Sequence, residues 1–127
     1  MPETEIRFYC DEDGQAPVLD WLDELAERNN RAYLKCRELI DRLGMLGYEL
    51  RRPTADMLED GIYELRTKVG RVNYRILYFF HGQNIAILGH GFTKEGKIPK
   101  KELKRARQRK EAFEADPDQH TYKEDAR

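Results

Sequence analysis

Three apolar runs lie between Ile62 and Phe92, separated by the glycine-led pairs Gly70-Arg71 and Gly82-Gln83, and this arrangement constrains the fold more than any other feature of the chain. A Gly-X pair between alternating apolar runs suits a two-residue hairpin loop, because glycine accepts the positive φ such a loop needs. Strands are predicted at 62–69, 72–80 and 85–92. The loops also set a register. If Gly70-Arg71 closes the first hairpin, Val69 faces Val72 and Arg66 faces Arg75. If Gly82-Gln83 closes the second, His81 faces Asn84 and Arg75 faces His90. Alternation then sorts the side chains. One face carries Tyr63, Leu65, Val69, Val72, Tyr74, Ile76, Tyr78, Phe80, Ile85 and Ile87, and should lie against helices. The other carries Glu64, Arg66, Lys68, Asn73, Arg75 and His90, with an apolar far end of Ile62, Leu77, Phe79, Ala86 and Leu88.

The rest of the chain supplies the helices. EIRFYC (5–10) reads as a first strand and DEDGQ (11–15) as a turn. Pro17 suits a first helical turn, and Val18, Leu22, Leu25 and Ala26 recur at helical spacing to about residue 28. Asn29 or Asn30 can cap a second helix that turns Ala32, Cys36, Leu39, Ile40 and Leu43 inward and is ended by Gly44 and Gly47. Residues 48–61, with Pro53, are expected to be a connection. Helix returns at about 99–114, opened by Pro99, with Leu103, Ala106 and Phe113 as one thin apolar seam. The order β-α-α-β-β-β-α predicts an α+β domain over 1–115: an antiparallel sheet with helices packed on one face, an N-terminal helical hairpin and a C-terminal basic helix. Residues 116–127 are expected to form a loose polar tail, Tyr122 included. Trp21, Tyr33 and Tyr48 read as core or groove aromatics.

Charge is distributed unevenly. The net formal charge is -1, yet residues 1–63 hold 8 Lys and Arg against 15 Asp and Glu, residues 64–110 hold 13 against 3, and residues 111–127 hold 2 against 6. The central block, net +10, is a candidate surface for a polyanion. Acidic helices folded over basic strands are the competing account. No apolar stretch approaches the ~20 residues of a membrane span, and MPETEIRF lacks a signal-peptide core, so a cytoplasmic protein is expected. Cys10 and Cys36 read as reduced, partly buried thiols. No zinc-ligand spacing, P-loop or Rossmann glycine pattern is present, and no cofactor or metal is expected.

The predicted row Arg66–Arg75–His90 poses a physical problem. Like charges directly opposite one another destabilise a sheet. Two full charges ~5 Å apart repel by roughly 3 kcal/mol at an effective dielectric near 20. A bound phosphate would relieve this, since guanidinium forks match phosphate oxygens. Glu64, on the same face, could instead pair with either arginine. Beside Arg75, His90 should have a lowered pKa and could serve as a general base or be merely structural. Lys94 and Lys97 follow the last strand in a glycine-containing loop, and KKELKRARQRK (100–110) is strongly basic.

The segments IYELRTKVGRVNYRILYFF and NIAILGHGFTKEGKIPKKELKRARQRKEAF together resemble the phage-derived HigB-like branch of the RelE/ParE toxin superfamily. The motifs are the ELR strand, the YRILYF strand, HGF followed by a lysine, and PKKE opening a basic helix. The resemblance implies the toxin half of a type II toxin–antitoxin pair. Such a protein is a ribosome-dependent mRNA endoribonuclease that works without metal, with its substrate mRNA on the ribosome and a helix-turn-helix antitoxin as partner. By the same resemblance, Arg66 and Arg75 are the ELR and YR arginines, the latter on the scissile phosphate. Lys94 is the basic residue after the last strand, His90 and Phe92 are the HGF positions, and Lys100 and Lys101 are the basic pair. Arg66, Arg75, Lys94 and His90 are thus the expected catalytic set, and Lys68, Phe92, Lys97, Lys100, Lys101 and Lys104 the expected RNA contacts. A ParE-like gyrase inhibitor and a non-catalytic nucleic-acid-binding module are the alternatives.

Overall fold

The computed structural model describes residues 3–94 and 96–123. It contains β1 (Glu5–Phe8), α1 (Pro17–Arg28), α2 (Asn30–Leu46), a short 3-10 turn (Gly47–Glu49), β2 (Ala55–Glu59), β3 (Ile62–Val69), β4 (Val72–His81), β5 (Ile85–Lys94) and α3 (Lys100–Ala115). The class is α+β, as expected. The five strands form one sheet in the order β1-β5-β4-β3-β2. β1 runs parallel to β5 and every other pairing is antiparallel, so the sheet is mixed.

Local chemistry accounts for the helical hairpin. Pro17 opens α1 where its missing N–H costs nothing, and the Asn29 side chain caps α2 by accepting from the Ala32 N–H at 3.2 Å. Val18, Leu22 and Leu25 of α1 and Ala32, Cys36, Leu39, Ile40 and Leu43 of α2 pack on Leu65, Tyr74, Ile76, Tyr78, Ala86 and Leu88 of the sheet. Both cysteines are buried and free. Among the described residues no helix is long and apolar enough to cross a membrane.

The structure departs from the sequence reading in five places. Residues 55–59, expected within a connection, form β2, which pairs with β3 at one edge of the sheet. The helices do not share one face. α3 lies on the opposite side, where Ala106 and Leu103 pack with Ile62, Leu77 and Phe92, and Phe113 packs with Tyr9, Phe79 and Ile87. The thin seam of Leu103, Ala106 and Phe113 is the surface that docks. Third, the first half of β5 is turned over. His81 pairs with Ile85 rather than Asn84, so Ala86 and Leu88 face the α1–α2 layer, while Ile87 faces α3. Fourth, a bulge on the β5 side of Leu77/Tyr78 then takes up Gly89 as an extra residue and shifts the pairing by one. Finally, residues 116–123 do not hang loose. Thr121 bridges Tyr9, the Tyr122 N–H donates to the Phe8 carbonyl at 2.8 Å, and buried His120 stacks on Tyr9. The last four residues of the expected tail lie outside the described residues.

Candidate nucleic-acid site

The first hairpin closes as its loop chemistry requires. Gly70 has φ +63°, Val69 pairs with Val72, and Arg66 therefore stands opposite Arg75 on the α3 side of the sheet. The bulge in β5 decides the third member of the row. Arg75 pairs with Phe92, not His90, and His90 pairs with Leu77. Three cross-strand rows result: Lys68–Asn73–Lys94, Arg66–Arg75–Phe92 and Glu64–Leu77–His90. α3 covers the apolar part of this patch, burying Leu77 and Phe92. It leaves Lys68, Lys94 and Arg66 exposed at the hairpin end, beside a shallow cleft of about 470 Å³ lined by Pro53, Thr54, Arg66, Thr67, Lys68 and Asn73. Lys97, Lys100, Lys101 and Lys104 are exposed on the following loop and the first turns of α3.

At the centre of the patch is a charge arrangement that sequence raised only as a competing possibility. The Glu64 carboxylate lies 3.6 Å from Arg66 Nη1 and 3.7 Å from Arg75 Nε, so one acid faces both arginines. Glu64 and Arg75 side chains are each 6% exposed, and Arg66 is 41% exposed. These contacts are ion pairs beyond hydrogen-bond length. Glu64 Oε2, Arg75 Nε and Arg75 Nη1 are buried and make no hydrogen bond within the described protein, whereas Arg75 Nη2 donates to the Gly96 carbonyl at 2.7 Å. Burial raises the Glu64 pKa above the ordinary carboxylate range. The two guanidiniums pull it down, and Asp56, opposite on β2, pushes it up. The repulsion expected between Arg66 and Arg75 is thus partly neutralised by Glu64 from the adjacent row of the same face, with Arg66 still presented to water.

His90 has a different set of neighbours from those expected. Its ring stacks on Phe92 with centroids 5.5 Å apart, and both nitrogens are engaged by α3: Nε2 meets Glu102 Oε1 at 2.8 Å and Nδ1 meets Arg109 Nη1 at 2.9 Å. A guanidinium can only donate, so Nδ1 accepts and the proton sits on Nε2, directed at Glu102. The pKa is lowered, as expected, but burial is the main cause and Arg109 a lesser one, while the Glu102 bond opposes both. With each nitrogen occupied, His90 acts as a clamp between sheet and helix, a poor position for a general base. Glu102 and Arg109 escaped the sequence reading, although a signal existed. Both fall in line with Ala106 and Phe113, at spacings of four, three and four residues, on the inward stripe of α3.

Trp21, read as a core or groove aromatic, closes the other side of β5. A Cβ on Gly91 would come within 2.5 Å of its Cε3 atom, so glycine is required there. Tyr48 stacks on Phe80 at 3.7 Å, and Tyr33 packs against the core.

The family model described as Phage derived protein Gp49-like (DUF891) matches residues 20–111, which span α1 to α3 and include every residue of the patch named above. No curated protein matches the chain.

Proposed function

We propose that this chain, which belongs to the Gp49-like family of phage-derived proteins, is the toxin of a type II toxin–antitoxin pair and cleaves mRNA on the ribosome, as its resemblance to HigB-like toxins implies. The observation that carries this reading is the pairing of Arg66 with Arg75 on one sheet face, at the end ringed by Lys68, Lys94 and Lys97. The exposed Arg66 fork and a ring of lysines, with the buried charge of Arg75 behind them, suit a phosphodiester backbone.

In the proposed reaction the ribose 2′-oxygen attacks the adjacent phosphorus, the bond from phosphorus to the 5′-oxygen breaks, and a 2′,3′-cyclic phosphate and a free 5′-hydroxyl result. Arg66 donates to the additional negative charge of the pentavalent phosphorane, and buried Arg75 adds its charge from behind; loss of one such donor typically costs ~10²–10³ in rate. Lys94 handles the proton passing from the 2′-hydroxyl or to the leaving 5′-oxygen. His90 holds α3 in place through Glu102 and Arg109, and Phe92 underlies it. Lys68, Lys97, Lys100, Lys101 and Lys104 steer the RNA backbone, and a helix-turn-helix antitoxin neutralises the toxin.

The test is purified protein in a translating extract. Cleaved mRNA is expected, with cleavage reduced ~10²–10³-fold by Arg66→Ala, a change at a half-exposed side chain that leaves the core intact. Intact mRNA with accumulating double-strand DNA breaks would instead identify a gyrase poison, and full growth arrest by Arg66→Ala and Arg75→Ala proteins would leave only a binding module.

A further inference from the structure

Glu64 is unexplained by catalysis alone. A phosphate-binding surface gains nothing from a fixed negative charge beside its arginines, and a core gains nothing from a carboxylate that makes no hydrogen bond through Oε2. The geometry nevertheless places this side chain, 4% exposed as a residue, within 4 Å of both guanidiniums. Neither contact has closed to hydrogen-bond length, so the carboxylate locks neither arginine; Arg75 is held by the Gly96 carbonyl, and Arg66 is exposed. We propose that Glu64 is a resident anion of the site: it faces Arg66 and Arg75 in the free protein, and an incoming nucleic-acid phosphate displaces it from Arg66, the exposed member of the two. This inference rests on the proposed function and adds to it a means of regulation, in which the charge state of Glu64 sets how strongly Arg66 is available to RNA.

The consequence follows from competition. Ionised Glu64 and a phosphodiester contend for the same exposed cation, Arg66; protonated Glu64 does not contend. RNA binding must therefore favour the protonated form, and by linkage binding takes up a proton wherever the free protein holds Glu64 ionised and the complex holds it neutral. A phosphodiester stays singly charged throughout mild acid, so it contributes no titration of its own. The groups surrounding Glu64 are Asp56 on β2, itself paired with Arg52, Arg66 on its own strand and Arg75 on β4. On β5, His90 lies in the same row beyond Leu77. On α3 are Glu102, bonded to His90, and Arg107, held by Glu59 at 2.7 Å. His90 is the one neighbour whose ordinary titration overlaps the same window, and a variant at Glu64 separates the two.

The experiment is calorimetric titration of the whole protein with a 2′-O-methyl oligoribonucleotide, which cannot be cleaved, from about pH 5 to about pH 8 in buffers of differing ionisation heat. Wild-type affinity should rise as pH falls, by up to about tenfold per pH unit, with uptake approaching one proton. In Glu64→Gln the affinity should be high and the Glu64 share of proton uptake lost. The same pH slope and uptake in Glu64→Gln would overturn the inference while leaving the functional reading intact. No binding by the wild type at any pH would overturn the inference, since a toxin that acts on the ribosome need not hold a free oligonucleotide, and binding unmoved by Arg66→Ala would overturn the functional reading itself. A measurement on wild-type protein guards against a variant that fails to fold: the ¹³C carboxyl resonance of Glu64 should titrate at higher pH with saturating oligonucleotide than without, and an unmoved titration refutes the displacement.

Discussion

Arg75→Met, alone and combined with Glu64→Gln, probes the central ion pair directly. Arg75 Nε and Glu64 Oε2 are 3.7 Å apart, both side chains almost fully buried. At an effective dielectric near 20 their attraction is about 4–5 kcal/mol. Withdrawing each ion from water costs several kcal/mol, so the pair as a whole contributes little net stability. The singles behave differently, because each strands a buried charge. Arg75→Met leaves Glu64 with only half-exposed Arg66 at 3.6 Å, and Glu64→Gln leaves Arg75 with the Gly96 carbonyl. Arg75→Met should cost about 3 kcal/mol, which is tolerable in a domain whose total stability is of order 5–15 kcal/mol; Glu64→Gln should cost less, because burial already makes the ionised carboxylate a cost that the amide removes. The double variant, with neither charge, should lie within about 1–2 kcal/mol of wild type and above Arg75→Met in stability, giving a coupling energy of at least ~1 kcal/mol. Urea unfolding followed by circular dichroism at neutral pH measures all four proteins, provided the denaturant slope is unchanged. A double variant as unstable as the sum of its singles would refute the buried pair.

The other predictions concern how the layers are held together. His90 is neutral in the fold and its pKa is lowered, so the unfolded chain takes up a proton that the folded one resists. Stability should therefore fall as pH drops from about 6.5 toward the depressed folded value, and His90→Gln should flatten that fall in denaturant midpoints measured across the window. Glu64 titrates with the opposite sign, because its raised folded pKa makes the ionised form a cost that is relieved as pH falls; parallel wild-type and His90→Gln curves would remove the clamp assigned to His90. Gly91→Ala should destabilise by about 1–3 kcal/mol, since its methyl meets Trp21 within 3 Å, and an unchanged melting temperature would show that Trp21 is not packed as described.

The near part of the site was legible because it depends on local rules. A glycine with positive φ at position 70 closes a two-residue loop, the side-chain period of a strand is two, and Arg66 must then face Arg75 whatever surrounds them. The same reasoning failed one hairpin later. Gly82 does take positive φ, at +68°, but the loop spans three residues, and the bulge at Gly89 then restores the original facing of His90 one row farther on. No local signal ranks these alternatives. What chooses among them is how β5 is packed on both faces and along one edge: Ala86 and Leu88 must meet the α1–α2 layer, β1 pairs with 85–88, and Gly91 must sit under Trp21. β2 was hidden for a related reason. ADMLE has little apolar alternation, and it becomes a strand by completing the edge of β3.

Sequence by itself determined the α+β class, the helical hairpin, the basic half of the chain and the facing arginines, because capping, periodicity and turn chemistry act between residues close along the chain. It took the closing of the layers to show that α3 crosses to the other face, that His90 is clamped by Glu102 and Arg109, and that Glu64 lies buried within 4 Å of both guanidiniums. Burial and charge pairing depend on which distant residues share a volume, and that is settled only when the layers close.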